Sequence, residues 1–291
     1  MKYFSIAGFV VAIDSKILKF KYINDIFNQF AVEKTEVEPL LTVLVDAVSD
    51  FEESIHQFVY EELGIDCFFY RTDNRFLRKM IKNDTTLRCE FYETDNLHFL
   101  TKFDFQGKTQ IGSMLYFALR WACCLALLHR QTLGFHSSTI VHQGKSVLFL
   151  GKSGTGKSTH SQLWLNNIEG AELLNDDAPF VQIAENKVLT WGSPWSGKTP
   201  CYKNQSAQTV AFVLLQQAPY NKIRQLTLYE ALTVLLGSSR FFYFNDEHFT
   251  DVNYEIISEI LKQIPVYHLE CLPDADAARM VLETLAADKV L

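Results

Sequence analysis

No C-x-x-C pair, no long basic run, no internal repeat and no low-complexity segment occurs in this 291-residue chain. Each absence narrows what the chain can do. Without a basic run, and at a net charge of −7, a sequence-independent grip on nucleic acid is not expected. The six cysteines (Cys67, Cys89, Cys123, Cys124, Cys201 and Cys271) lack metal or redox spacing, and Cys123 and Cys124 fall inside a helical pattern. They read as buried reduced thiols. The start, Met1 to Asp14, is apolar but short, with neither a basic n-region nor a small-residue cleavage site, so no secretory signal is read there and the expected location is cytoplasmic. The apolar run Ile111–Leu128 carries Arg120 at its centre, which hydrocarbon would penalise. It is expected to be a core helix, and no membrane partner is expected.

What is present is an ordinary globular composition, 48% apolar and 13% aromatic, with room for one large domain or two smaller ones. Residues 1–107 read as a β-rich module without a chemical motif. Strands are expected over Phe4–Ile13 and Ile17–Ile23 around a turn at Asp14-Ser15-Lys16, and again over Thr42–Val48, Cys67–Asp73, Leu87–Glu93 and His98–Phe105. A helix is expected near Phe51–Leu63. The acids Asp50, Glu52, Glu53, Glu61 and Glu62 read as a solvated face. Residues 108–291 read as an alternating α/β domain, opened by a helix over Ile111–Gln131 that Gly134 can end.

The strongest signal is G-K-S-G-T-G-K-S, Gly151 to Ser158. It fits the phosphate-binding loop G-x-x-x-x-G-K-[ST]. The apolar run Ser146–Leu150 before it has strand character, and Thr159–Asn166 after it can continue as a helix. A strand, a glycine-rich turn and a helix N-terminus gather unpaired backbone N–H groups into an anion site. Gly151, Gly154 and Gly156 allow the bends and the close approach; Ser153, Thr155 and Thr159 complete the loop. Lys157 can reach the β- and γ-phosphates and the Ser158 hydroxyl can ligate magnesium.

Other candidates surround the loop. Phe135 to Gly151 reads as two strands with a turn at Gln143-Gly144-Lys145, so a hairpin would bring His136 near the phosphate end; a structural histidine is the alternative. Asn175-Asp176-Asp177 ends a short strand, 19 residues from Lys157 to Asp176. Two aspartates there can divide metal binding and proton acceptance between them, whereas plain turn chemistry would also explain the triplet. Trp191–Pro200 could close over a ligand, with Lys198 as a second cation, or Trp191 and Trp195 could be core anchors.

The residues His136-Ser137-Ser138, Phe149-Leu150, G-K-S-G-T-G-K-S-T and Asp176-Asp177 resemble the core of bacterial HPr kinase/phosphorylases and ATP-dependent phosphoenolpyruvate carboxykinases. Their loops read G-D-S-G-x-G-K-S and G-L-S-G-T-G-K-T. The resemblance spans roughly the C-terminal two thirds, extends to uncharacterised HPr-kinase-like proteins sharing W-G-S-P-W-S-G, and implies a mixed sheet with helices packed on one side. It implies ATP with magnesium or manganese, Lys157 and the loop amides on the β/γ-phosphates, and Ser158 and Asp177 on the metal. Asp176 would be the base toward an acceptor hydroxyl, and His136 a second-metal or base-orienting residue. The arginine- and glycine-rich segment of the kinases and the dicarboxylate-gripping arginine of the carboxykinases are not found. The expected function is therefore a kinase with an unidentified protein, peptide or small-molecule acceptor, with a nucleotide-dependent regulatory module as the alternative and a decarboxylating carboxykinase disfavoured. Assembly into an oligomer is left open.

Overall fold

Runs of alternating apolar residues form eighteen strands among the described residues, and the computed structural model gathers them into two mixed nine-stranded sheets. It describes residues 1–34, 36–48, 58–62, 64–72, 75–95, 97–106, 111–197, 199–239 and 247–291. The chain divides into two compact units, Met1–His129 and Arg130–Leu291. The expected boundary after residue 107 thus differs by the length of one helix.

The first unit holds β1 (Lys2–Ile6), β2 (Phe9–Ile13), α1 (Lys21–Phe27), β3 (Ala31–Val32), β4 (Leu41–Val45), β5 (Phe58–Glu62), β6 (Ile65–Arg71), β7 (Arg75–Lys82), β8 (Thr85–Glu93), β9 (Phe99–Gln106) and α2 (Ile111–Leu128). The strand order is β3-β1-β2-β4-β9-β8-β7-β6-β5. Three expectations are corrected here. Phe4–Ile13 is two strands, because Ala7 and Gly8 both take positive φ and close a tight turn. Ile17–Ile23 is a 3₁₀ turn leading into α1, which buries Ile23, Ile26 and Phe27 at helical spacing. Phe58–Glu62 is a strand paired with β6. The remainder of the helix expected at Phe51–Leu63, together with Asp50, Glu52 and Glu53, lies outside the described residues.

Helix α2 packs against β4, β8 and β9. Trp121 meets Phe91 at 6.0 Å between ring centroids. Among the described residues α2 is the one helix long and apolar enough to cross a membrane, and it is mostly buried within its unit. Gly134 does not end it. The helix gives way to a turn at His129–Gln131, and Gly134 belongs to the following strand.

The second unit holds β10 (Thr132–Gly134), β11 (Ser137–His142), β12 (Lys145–Leu150), α3 (Lys157–Asn167), β13 (Ala171–Asp177), β14 (Phe180–Ala184), β15 (Lys187–Trp191), β16 (Ser206–Gln217), β17 (Lys222–Gln225), α4 (Leu228–Ser238), α5 (Glu247–Leu261), β18 (Val266–Cys271) and α6 (Ala275–Ala287). The sheet runs β10-β14-β15-β16-β12-β11-β13, with β18 also pairing β16 in parallel. Trp164 of α3, Ile168 just past its end, and Ala278, Val281 and Leu285 of α6 share one apolar cluster with Val147, Phe149 and Val213 of the sheet. The alternation sends Leu148 to the opposite face, where it is also buried. Between β11 and β13 the register slips by one residue. Thr139 faces Asn175 and the next residue, Ile140, faces Leu173, so Leu174 is extra.

Candidate functional site

The register of three strands brings the chemistry to one end of the second sheet. Strand β11 lies between β12 and β13 and runs antiparallel to both, so its first residue, Ser137, is opposite both Leu150 and Asp177. His136, just before β11, and Gly151, just after β12, therefore share that end with Asp177. The hairpin argument for His136 holds. Its Nε2 lies 3.2 Å from Asp177 Oδ1, and both side chains are about one-third exposed.

The loop that follows β12 is bent as its glycines require. Gly151 has φ 149°, and a Cβ there would sit 2.5 Å from Thr155 Oγ1, so no larger residue fits. Gly156 caps α3 with left-handed φ of 101°. Inside the turn Thr155 donates from N and Oγ1 to Lys152 O, at 3.2 and 2.8 Å. Lys157 Nζ donates to Gly151 O at 2.8 Å and to Lys152 O at 3.4 Å. Helix α3 is pinned to β11 by the Ser138 and Ser161 hydroxyls, 2.6 Å apart and buried.

Asp176 is 3% exposed. Its carboxylate accepts from the Ser158 hydroxyl through both oxygens, at 2.9 and 3.1 Å. Asp177 has φ 128°, a conformation that costs a non-glycine residue about 1–3 kcal/mol and persists only where neighbours impose it. The imposing neighbours are in the segment after β15. Ser196 bridges Asp177, Ser196 Oγ and Gly197 N donate to Asp176 O, and a Cβ on Gly197 would press on Asp176 O and Asp177 Cβ at 3.1 Å.

Asn175 anchors that segment from within. Its Nδ2 donates to Trp195 O at 3.0 Å, and its Oδ1 accepts from Ala178 N at 2.8 Å. Ser193 Oγ donates to Ala178 O at 2.6 Å. Trp195, 1% exposed, meets Phe180 edge-on at 5.9 Å and is a core anchor, while Trp191 donates to Gln182 at 2.9 Å. Lys198 lies outside the described residues. Asn175, Ser193 and Ser196 were missed as supports of the site. The turn chemistry of N-D-D was the available signal for Asn175, and the two serines fall within Trp191–Pro200, which was read only as a loop that could close over a ligand.

A cavity of about 370 Å³ opens where these parts meet. The strand ends contribute His136, Asp176, Asp177 and Gly197, and the loop and helix contribute Ser153, Gly154, Gly156, Lys157, Ser158 and Thr159. Gly151 and Thr155 shape the loop without lining this cavity. The Ser158 hydroxyl and the Asp176 carboxylate form a pair of hard oxygen donors of the kind magnesium takes beside phosphate oxygens and water. Among the described residues there is no cluster of three or more His, Cys, Asp or Glu able to hold a metal by themselves. All six cysteines are reduced thiols and five are buried. Burial pushes the Cys89 thiol up to about 12.

No known family profile matches the sequence, and no curated protein matches it. Among solved structures it is similar to the HPr(Ser) kinase/phosphatase from Coxiella burnetii, at 13% identity over 54% of this chain and 89% of that chain, with a TM-score of 0.32. A likeness that weak carries no argument, and the roles below rest on the geometry.

Proposed function

We propose that the chain is an ATP- and magnesium-dependent phosphotransferase of the HPr-kinase-like kind, moving the γ-phosphate to a hydroxyl of a protein, peptide or small molecule. The observation that carries this reading is the hydrogen bond from the loop serine, Ser158, to Asp176 inside the loop cavity. That is the pair by which phosphate-loop enzymes hold their metal. Lys157 and the loop amides would grip the β- and γ-phosphates. Magnesium, when bound, supplies charge neutralisation between those phosphates. ATP as donor and reduced thiols fit a cytoplasmic location.

In this reading the aspartates exchange the parts that the family resemblance implied. Asp176 is nearly buried, with both oxygens on Ser158, which suits a metal-holding carboxylate. Asp177 is more open, is oriented by His136 at 3.2 Å and is held in a strained conformation, which suits a preorganised base. The acceptor hydroxyl gives its proton to Asp177, its oxygen bonds to the γ-phosphorus, and the bond to the β-bridging oxygen breaks as ADP leaves with the electron pair. His136 would stabilise the Asp177 charge before transfer.

The test is calorimetric titration of magnesium-ATP, with labelled γ-phosphate followed to water, peptides and small-molecule hydroxyls. Asp177→Asn is expected to bind ATP normally and to transfer about 10²–10⁴-fold more slowly. Asp176→Asn is expected to weaken the magnesium requirement for binding. Unchanged transfer by Asp177→Asn would remove it as the base, and no ATP binding by the native chain would remove the whole reading.

A further inference from the structure

A second recess, of about 260 Å³, adjoins the first. That is roughly eight or nine times the share of one water molecule in the liquid. Gly156 and Thr159 line both cavities, so the two are neighbours across the first turn of α3. Their chemistry differs. The first presents Lys157, Asp176, Asp177 and His136, whereas Leu163, Leu215, Ala218, Leu272 and Pro273 wall the second. Among the described residues no Asp, Glu, Lys or Arg lines it. His160 does, and it is 3% exposed.

The position follows from the sheet. Strands β12, β16 and β18 are mutually parallel in sequence of pairing, and the recess is formed by residues at or just beyond the carboxyl ends of β16 and β18. In open α/β sheets ligands settle outside the carboxyl ends of such strands. Gln217, at the end of β16, donates to Gly154 O at 3.3 Å and ties this wall to the phosphate loop.

A nucleotide has the same two-part character, a polyanionic tail and an uncharged planar heterocycle. Resting on the phosphate-loop reading above, we infer that the recess between the ends of β16 and β18 seats the base of the nucleotide whose phosphates lie in the loop. The nucleotide then lies across the strand ends in the order β18, β16, β12, β11, β13. Its base is at Leu272 and Ala218, its terminal phosphate at Asp177 and His136, and the acceptor enters from the β13 side.

The experiment compares magnesium-ATP and magnesium-GTP with magnesium tripolyphosphate, which has the charge without a base, by calorimetry on the full chain. The native protein is expected to bind at least one nucleotide about tenfold or more tighter than tripolyphosphate. Ala218→Phe and, separately, Leu272→Trp fill the recess from its rim. Either is expected to bring the nucleotide down to the tripolyphosphate affinity and leave tripolyphosphate binding unchanged. Native protein that binds tripolyphosphate as well as either nucleotide would overturn the base seat alone, as would a preference that survives both substitutions. Native protein that binds none of the three would overturn the loop reading, and the base seat with it.

Discussion

The two units are both nine-stranded mixed sheets, and both pair buried polar groups across strands, as Ser146, Thr190 and Thr209 do in the second. Yet the second also gathers charged groups at one sheet end. In the first, Glu90 is fully buried and meets Arg75 at 2.5 Å, and its backbone carbonyl accepts from Thr101 Oγ1 at 2.8 Å. Arg78, 2% exposed, donates to Cys67 Sγ at 3.3 Å and lies over the Phe69 ring. These groups sit along the strands, with partners on the neighbouring strands. In the second unit Lys157, Asp176, Asp177 and His136 gather at one sheet end, around a cavity and beside strained backbone. Polarity matched along a sheet serves the fold. Polarity collected at strand ends, at the cost of strain, is the arrangement that chemistry requires.

That contrast can be broken, most sharply at the lysine. Lys157→Ala is expected to weaken magnesium-ATP binding about a thousandfold and to change unfolding free energy by less than about 1 kcal/mol. Titration and denaturant unfolding of the same preparation check both, and a large stability loss would make Lys157 a structural residue like Glu90. The converse change, Glu90→Gln, should cost about 1 kcal/mol, since Arg75 is 40% exposed and water can replace part of its charge partner. ATP affinity should be unaltered, and a weakened affinity would mean that the first unit serves the site.

Acid sharpens the comparison from the second unit's own core. His160 titrates at about 4 in the fold against an ordinary 6.5. Between those values the unfolded chain binds more protons, so stability falls as pH drops through that window, by roughly 2 kcal/mol at pH 5. Unfolding curves at pH 7 and pH 5, with His160→Gln for comparison, should show the difference shrink in the variant. An equally small effect is expected furthest from the cavity. Thr227 caps α4 in a reciprocal box with Glu230, and Thr227→Ala should cost about 1 kcal/mol without touching nucleotide binding.

Much of the site was legible because its parts are local in sequence. The strand, loop and helix around Gly151–Ser158 follow one another directly, and β11 and β12 are joined by a two-residue turn, so placing His136 at the loop needed only a hairpin. The division of labour between the aspartates was not legible, because it depends on Ser158 reaching Asp176 rather than Asp177. The supports at Ser193 and Ser196 act across the sheet on residues about fifteen to twenty positions away, and no local pattern marks such a contact. In the first unit β7 went unread although Arg75–Lys82 pairs along both edges, since its charged residues masked the alternation. Ile17–Ile23 failed for the reverse reason. Its period of two was visible, but Ile23, Ile26 and Phe27 bury one helical face and tertiary packing decided the outcome.

The slipped register at Leu174 decides which residues of β13 share a face. Leu173 packs into the α3 cluster, and Asp176 reaches Ser158 on the same helix. Three residues apart, they would point to opposite faces of a regular strand. The extra residue at Leu174 restores the phase. A chain shortened by that one leucine would leave Leu173 and Asp176 two apart, in phase on a regular strand, so Asp176 would still face Ser158. The bulge therefore lets β13 absorb the loss of one residue at Leu174 without turning the cavity's carboxylate away.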